Sequence, residues 1–388
     1  MEREKVRMGI IGIGNMGSGH VKSFIEGEVS DDVVLTAVAD LKENRRDWAK
    51  EYFRENCLED IKVFEDDESL IKSGLCDAVM VEIPHYMHPV VSIRALEHGL
   101  HVLCEKPAGV YAKQVWQMNE AAEKSGCVFA LMFNMRAGAV YRKMRELVCS
   151  GELGEMKRVN WILTDWYRAQ IYYDSGDWRG TWDGEGGGVL VNQCPHNLDL
   201  LQWICGMPVR LRSFCHEGKW HNIEVEDDVT VYMEFPNGAT GVFVTSTGDL
   251  PGTDRFEILM TKGKLICEKG KLECYRLKED ERVTMFTTQD GFYRDSGEYE
   301  RIETDQGRNA RVEVINAFAG KILRGTPLIA DGQEGINEVN LANAIHLSSW
   351  LNQEVNIPVD EDVFLQELTR RRAVSKRKTE VKEITFFQ

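Results

Sequence analysis

Val6-Arg7-Met8-Gly9-Ile10-Ile11-Gly12-Ile13-Gly14-Asn15-Met16-Gly17 runs a short apolar segment straight into three glycines spaced G-x-G-x-x-G. An apolar run that does not alternate is what a parallel strand buried on both faces needs. Gly12 permits the tight turn behind that strand. Gly14 lets a pyrophosphate approach the backbone, and Gly17 lets the next helix pack closely on the strand. Ile13, Asn15 and Met16 complete the loop, and the helix turns its first N–H groups toward the phosphates. Asp40 closes the next apolar run, 23 residues beyond Gly17. A carboxylate there accepts from both ribose hydroxyls of NAD and repels the 2′-phosphate of NADP. Arg45 and Arg46 could reach such a phosphate, so NADP is the second choice. The bland alternative is a sheet turn with a capping aspartate; the strand before the loop and the helix after it favour the cofactor.

The same pattern continues outward. Val33–Asp40, Ala78–Ile83, His101–Cys104 and Val128–Phe133 read as further buried strands, with helical periodicity over Glu43–Arg54, Pro89–His98 and Ala112–Lys124. Strand–helix alternation predicts an α/β domain over residues 1–133, a doubly wound parallel Rossmann sheet. Beyond it the pattern changes. Val229–Phe235 and Ala239–Thr245 flank Pro236-Asn237-Gly238, a hairpin signal. Glu257–Met260, Leu265–Glu268 and Leu272–Tyr275 follow as strands, then helical patterns at Ala310–Leu323 and Gly335–Leu351. This predicts a second, α+β domain over 134–360 with a large, mostly antiparallel open sheet. A C-terminal helix or tail would fill 361–388. Its Arg370-Arg371-Arg372 and Lys376-Arg377-Lys378 read as a solvated helix face.

Lys+Arg number 47 and Asp+Glu 63 in 388 residues, a net charge of −16. That excludes a general nucleic-acid binder, which needs basic surface, and disfavours docking on an anionic membrane. No apolar run approaches the ~20 residues of a span, and Met1-Glu2-Arg3-Glu4-Lys5 leads into no signal-peptide core, so a cytoplasmic protein is expected. The 10 cysteines form no C-x-x-C pair and are expected as buried free thiols rather than disulfides or metal ligands.

Cys104-Glu105-Lys106-Pro107 ends the His101–Cys104 strand. Upstream lie Val81-Glu82-Ile83-Pro84-His85-Tyr86-Met87-His88 and Ala95-Leu96-Glu97-His98-Gly99. With the glycine loop, these resemble the glucose–fructose oxidoreductase / inositol dehydrogenase (Gfo/Idh/MocA) family across almost the whole chain. The resemblance implies a Rossmann domain followed by an α+β domain whose open sheet often packs on its copy, hence a homodimer or homotetramer. It places Lys106 beside the nicotinamide and substrate. An ammonium there can hydrogen-bond a substrate hydroxyl and stabilise a developing alkoxide. By the same resemblance, Pro84, His88 and Glu105 border the cofactor and the Lys106–Pro107 bond is cis. His85 and His88 stand at i, i+3, but with no third ligand in view they are not read as a metal pair.

Gly186-Gly187-Gly188-Val189-Leu190-Val191-Asn192-Gln193-Cys194-Pro195-His196-Asn197-Leu198-Asp199 resembles the family's second signature, an Asp and a His four residues apart that serve the substrate. His196 matches the histidine, the natural proton acceptor when a secondary alcohol is oxidised, and Asp199 a common downstream acid. Asn192 stands where the aspartate is usual and carries no charge. Three readings stay open: Lys106 takes more of the proton transfer, Asn192 binds a substrate hydroxyl, or Asn192 caps the helix ahead of Pro195. Just upstream, Trp161–Trp182 holds four of the nine tryptophans, interleaved with charged residues. Trp161 reads as strand core. Tyr167, Arg168, Tyr172, Trp178, Arg179 and Trp182 suit a sugar, whose C–H face stacks while its hydroxyls hydrogen-bond. Arg179 and Trp182 lead, because the family often has a W-R pair there. Asn134 completes the expected substrate contacts.

The expected activity is an NAD-dependent oxidoreductase moving hydride between nicotinamide and a secondary hydroxyl of a sugar, cyclitol or glycoside; in one variant NAD stays tightly bound through the cycle. One alternative is an NAD-dependent glycoside hydrolase acting by transient oxidation and elimination, with Tyr172, Tyr173 or Asp174 as the extra acid or base. The other is a non-catalytic NAD or sugar binder. Net NADH production separates the first two.

Overall fold

Strand and helix alternate from the start: β1 (Val6–Ile11), α1 (Asn15–Ile25), β2 (Val33–Ala39), α2 (Glu43–Glu55), β3 (Lys62–Phe64), α3 (Asp67–Lys72), β4 (Ala78–Val81), α4 (Met87–Glu97), β5 (His101–Cys104), α5 (Ala112–Ser125) and β6 (Phe129–Leu131). The structure, a computed structural model, describes residues 5–382 apart from 306, 308 and 377. The first four residues and Arg377, used in reading the N-terminus and basic tail, lie outside the described residues. The six strands pair in parallel in the order β3-β2-β1-β4-β5-β6. That order reverses between β1 and β4, the switch point where doubly wound sheets bind ligands. Ile11, Ala39, Val79, Val81, Val102 and Leu131 pack on one face of the sheet, and Met8, Ile10, Val38, Met80 and Leu103 on the other. Both faces are covered, which is why the strands read as unbroken apolar runs. β3 went unread because three residues, Lys62 exposed and Val63 and Phe64 partly buried, carry no period.

The chain continues through α6 (Ala139–Cys149), β7 (Met156–Leu163), α7 (Gln170–Asp174), α8 (Pro195–Cys205), β8 (Arg210–Glu217), β9 (Glu226–Glu234), β10 (Thr240–Ser246), β11 (Asp254–Met260), β12 (Gly263–Glu268), β13 (Lys271–Arg276), α9 (Glu281–Thr287) and β14 (Glu298–Ile302). It closes with α10 (Ala310–Arg324), α11 (Gly335–Leu351), β15 (Val355–Asn356) and α12 (Glu361–Val374). The second sheet has nine strands in the order β14-β13-β12-β11-β7-β10-β9-β8-β15. All pairs are antiparallel except β7 with β10. The expected hairpin is β9–β10, where Phe235 N–H meets the Ala239 carbonyl at 2.9 Å and Gly238 takes φ 82°. One face is core: Trp161 is fully buried and stacks on Phe256 at 4.1 Å. The alternate residues Ile162, Phe214 and Tyr232 face outward, exposed.

The compact units do not follow the expected boundaries. The first comprises the described residues up to Ala137 together with Asn309–Val339; the second comprises Gly138 to residue 307 and everything described from Asn340 onward. Packing explains the reassignment of α10. Its Val314, Ile315, Phe318 and Ala319 share a core with Met8, Ile10 and Leu103, and Ile336 and Val339 share the opposite core with Phe129 and Leu131. Of the C-terminal helix or tail expected over 361–388, the helix is α12, with Arg370 and Arg372 exposed. α12 buries Phe364 and Leu368, and Arg371 and Arg372 pair with Glu217 and Asp183 of the second unit. All ten cysteines are free thiols, five of them buried. Among the described residues no helix is long and apolar enough to cross a membrane.

Candidate active site

In the first unit the glycine loop is held by steric necessity at two positions. Gly12 has φ +91°, and a Cβ there would lie 2.4 Å from the Glu82 carbonyl oxygen; a Cβ on Gly17 would lie 2.0 Å from the Gly12 oxygen. A Cβ on Gly14 would meet nothing within 4 Å. That open side is the one a pyrophosphate needs. Gly14 caps α1 with no side-chain hydrogen bond, and the first turn holds no acidic residue. The uncapped N–H groups and the helix dipole therefore fit an anion. Asp40 holds the loop as well: Oδ2 accepts from Ile13 N–H at 2.8 Å and Oδ1 from Lys42 N–H at 2.8 Å. A carboxylate oxygen with one such bond still has a lone pair for a ribose hydroxyl. Arg46 donates to the carbonyls of Asp40 and Leu41, and Arg45 to Asn15. These residues fit a dinucleotide.

The ends of β4 and β5 bring together three groups. His20 Nε2 lies 3.6 Å from Glu82 Oε1 and 3.9 Å from Glu105 Oε1. The Glu82 carboxylate is buried and makes no hydrogen bond. Burial, then the neighbouring Glu105 charge, pushes Glu82 well above the usual carboxylate range, against the pull of Arg311 and Lys106. Sequence reasoning missed both His20 and Glu82. A histidine one turn into α1 and an acid inside an apolar strand end were the available signals. Glu105 Oε2 accepts from the Lys106 N–H at 2.9 Å. Lys106 itself is half-buried and precedes a cis bond to Pro107. Pro84 is exposed.

His88 is corrected. It is 1% exposed, with Nδ1 2.7 Å from the Pro107 carbonyl and Nε2 2.6 Å from the Ile83 carbonyl. It braces the β4 loop to the β5 loop. Burial lowers its basicity while the two carbonyls favour the protonated ring. Asn134, also in this unit, is half-buried and opens a 3₁₀ turn to Ala137.

In the second unit the glycine run leads into a π-turn over Val189–Gln193, closed by Cys194 N–H on the Val189 carbonyl at 2.8 Å. Such turns favour functional positions because they push side chains out of helical register. Glu226 anchors this one: its fully buried carboxylate accepts from Gly188 N–H at 2.8 Å and Leu190 N–H at 3.0 Å. His346 Nε2 lies 3.0 Å from its other oxygen. Glu226 opens an acidic triplet, so nothing local signalled burial. Cys194, not Asn192, caps α8, and Pro195 follows at its first position. The capping reading of Asn192 therefore fails. Its Nδ2 donates to Glu185 and, at 3.2 Å, to the Tyr172 hydroxyl. Arg179 Nη1 donates to the same hydroxyl at 2.7 Å, and its guanidinium lies 4.5 Å over the Tyr172 ring and 4.4 Å over Trp178. Arg168 lies 5.2 Å over Tyr172. Tyr172, Trp178, Arg179 and Asn192 thus touch one another and are half-buried, and His196, also half-buried, stands in the first turn of α8, four residues beyond Asn192.

One expected member leaves this group, and the signature's downstream acid does not join it. Trp182 is 3% exposed and packs edge-on against His346 at 5.5 Å and Trp350 at 5.4 Å, so it is core rather than substrate wall. Asp199 is buried and accepts from Gln202. Tyr167 stands exposed, its carbonyl accepting from Arg168 at 2.9 Å. Of the extra acids named for elimination, Tyr173 is buried on Thr247 and Asp174 pairs with Lys382; Tyr172 belongs to the cluster.

Residues 6–133 match the family described as oxidoreductase family, NAD-binding Rossmann fold, and residues 141–266 match the GFO/IDH/MocA C-terminal domain. Myo-inositol 2-dehydrogenase of Thermotoga maritima is 24% identical over 337 residues, covering 85% of this chain and 92% of that protein. D-glucoside 3-dehydrogenase of Escherichia coli is 29% identical over 255 residues, covering 61% of this chain and 69% of that protein. The WlbA dehydrogenase of Bordetella pertussis, crystallised with NADH and UDP-GlcNAcA, superposes with a TM-score of 0.76 at 21% identity over 92% of this chain and 100% of that one. At that identity the likeness speaks to the fold. With both domains matched, the chain belongs to the Gfo/Idh/MocA family of NAD-dependent oxidoreductases.

Proposed function

We propose that this protein oxidises, or in reverse forms, a secondary hydroxyl of a sugar, cyclitol or glycoside, with NAD as cofactor and NADP second. The observation that carries this is the half-buried cluster of Tyr172, Trp178, Arg179 and Asn192, with His196 half-buried four residues beyond Asn192. It combines ring faces with fixed donors and acceptors, the chemistry a polyhydroxylated ring requires. The inositol and glucoside dehydrogenases among its relatives support the same substrate class.

Lys106 donates to the reacting hydroxyl oxygen and stabilises the alkoxide as it forms. His196 takes the hydroxyl proton. The backbone of Gly12, Ile13, Gly14, Asn15, Met16 and Gly17 holds the pyrophosphate, Asp40 the ribose, and Glu105 and Pro84 border the cofactor. When bound, NAD supplies the acceptor for the two electrons that leave the carbinol carbon. A second copy of the chain covers the open face of the nine-stranded sheet, where Ile162, Phe214 and Tyr232 are exposed.

The test begins with the purified protein, denatured and assayed for released nucleotide. The native protein with added NAD⁺ is then screened at 340 nm against inositols, sugars and simple glucosides. Rising absorbance with one polyol class is the expected result. Cleavage of a glycoside without net NADH would replace this reading by the elimination route. No bound nucleotide and no NAD affinity would overturn it.

A further inference from the structure

Glu185 has no part in the reading above, yet it sits behind the surface that would meet the substrate. It is 1% exposed. One carboxylate oxygen accepts from the Gly180 N–H at 2.5 Å, and the other accepts from Asn192 Nδ2. The second hydrogen on that nitrogen points to the Tyr172 hydroxyl, 3.2 Å away. An amide nitrogen has two hydrogens, and both are now directed. The orientation of the Asn192 amide follows: its nitrogen faces Glu185 and Tyr172, and its carbonyl oxygen faces the other way. Tyr172 is constrained in turn. Its oxygen receives N–H groups from Arg179 at 2.7 Å and Asn192 at 3.2 Å, with Gln193 Nε2 as a longer third donor at 3.4 Å. A phenol oxygen with both lone pairs engaged can use its O–H only to donate.

We propose that Glu185 is a positioning residue of the substrate site. Through Asn192 it sets Tyr172 as a donor and the Asn192 carbonyl as an acceptor for one substrate hydroxyl, and it supplies the carboxylate that position 192 lacks. A ring hydroxyl that both accepts from Tyr172 and donates to Asn192 satisfies both groups; an ether or a methylated hydroxyl cannot donate and is rejected. The inference rests on the sugar-dehydrogenase reading. Charged and titratable neighbours act on Glu185 from several elements: Arg179 and Asn192 directly, Glu226 from β9, Tyr173 from α7, and Lys378 beyond α12. Burial pushes its carboxyl above the ordinary range, while Arg179, the Gly180 N–H and Asn192 pull it back. Protonation would remove an acceptor from Asn192 or Gly180, so activity has an acidic limb set by this group.

The experiment uses the full chain with the polyol found at 340 nm and compares Glu185→Gln, Asn192→Asp and the double variant. Glu185→Gln sets an amide against an amide. It should raise KM and lower kcat/KM about 10- to 100-fold, the size of one lost charge-assisted hydrogen bond, and abolish the acidic limb. Asn192→Asp places two carboxylates together and should also lose activity. The double variant relieves the paired carboxylates but leaves Tyr172 no N–H from position 192, so it should stay below wild type yet lose less than the two single losses combined, while NAD affinity stays at the wild-type value in all three. Wild-type KM and pH profile in Glu185→Gln, or losses that merely add in the double variant, would overturn the proposal. If Glu185→Gln does not fold, Tyr172→Phe removes the donor and should raise KM with the acidic limb kept; an unchanged KM would overturn the proposal. If the wild type oxidises no polyol, the dehydrogenase reading fails separately. Thermal-shift binding of the same polyols then decides on Glu185, which stands if Glu185→Gln loses the shift and falls if it does not.

Discussion

Lys106 and Glu82 lie close in one unit and call for opposite tests. Lys106 is assigned to the reacting hydroxyl, so Lys106→Met should lower kcat by about 10²–10³-fold, the range for one lost oxyanion donor. Nucleotide should still be retained, as read by steady-state rates and NADH fluorescence titration. Glu82 is assigned no chemistry, and its effect should appear in stability. Below about pH 4.3, the ordinary glutamate value, folded and unfolded chains both hold the proton. As pH rises the unfolded chain releases it while the folded chain keeps it, because the folded carboxyl titrates higher. Stability therefore falls with rising pH through that window. Glu82→Gln removes this titration among His20, Glu105, Lys106 and Arg311. Its melting temperature relative to wild type should be higher at pH 8 than at pH 5; an equal difference at both would refute the assignment. Lys106 is reached from a motif the sequence displays; Glu82 was missed, because the burial that makes it matter could not be read there. Side-chain exposure depends on which helix closes over the strand end.

Local elements divide the glycines of the β1–α1 turn into two kinds. Gly12 and Gly17 meet backbone oxygens, whereas Gly14 faces open space. Gly14→Ala should therefore leave the thermal midpoint near wild type and weaken NAD binding by about tenfold or more, at least ~1.4 kcal/mol. Gly12→Ala should unfold the loop first, because its φ of +91° and the 2.4 Å approach leave no room for a methyl. Calorimetry and nucleotide titration on the two variants separate the effects. A Gly14→Ala protein with normal NAD affinity would falsify the pyrophosphate assignment. In the second unit the π-turn and α8 form one rigid support. Glu226 ties the glycine run to β9, and Asn192 and His196 project from that support. The signature G-G-G…N…H was legible as a motif. Its anchor was not, because Glu226 is 38 residues away.

The whole chain carries a net charge of −16, whose self-repulsion leaves any self-association to apolar surface. That surface is the open sheet face. Ile162, on β7, and Phe214 and Tyr232, on β8 and β9, stand 43%, 54% and 41% exposed on strands whose alternate residues are core. Ile162→Lys with Tyr232→Lys should shift the protein toward monomer in light scattering while far-UV circular dichroism is retained. A wild type that is already monomeric would dismiss the second copy.

Sequence alone set the two architectures and the chemistry-bearing loops. Apolar runs, a period of two and glycine spacing are local signals, and they marked β1–β2, the β9–β10 hairpin and Gly12–Gly17, while Lys106 and His196 were named through the resemblance of their motifs to the family's. Tertiary structure decided the rest. α10 returned to the first unit because its apolar stripe fits the core around Met8 and Leu103. Trp182 became core because α11 and α12 close over it, with Arg371 4.0 Å above its neighbour Trp350. Asn192 found its carboxylate in Glu185, seven residues back, only because the intervening turn folds on itself. Each of these outcomes depends on contacts between segments whose own sequences carry no record of the partner.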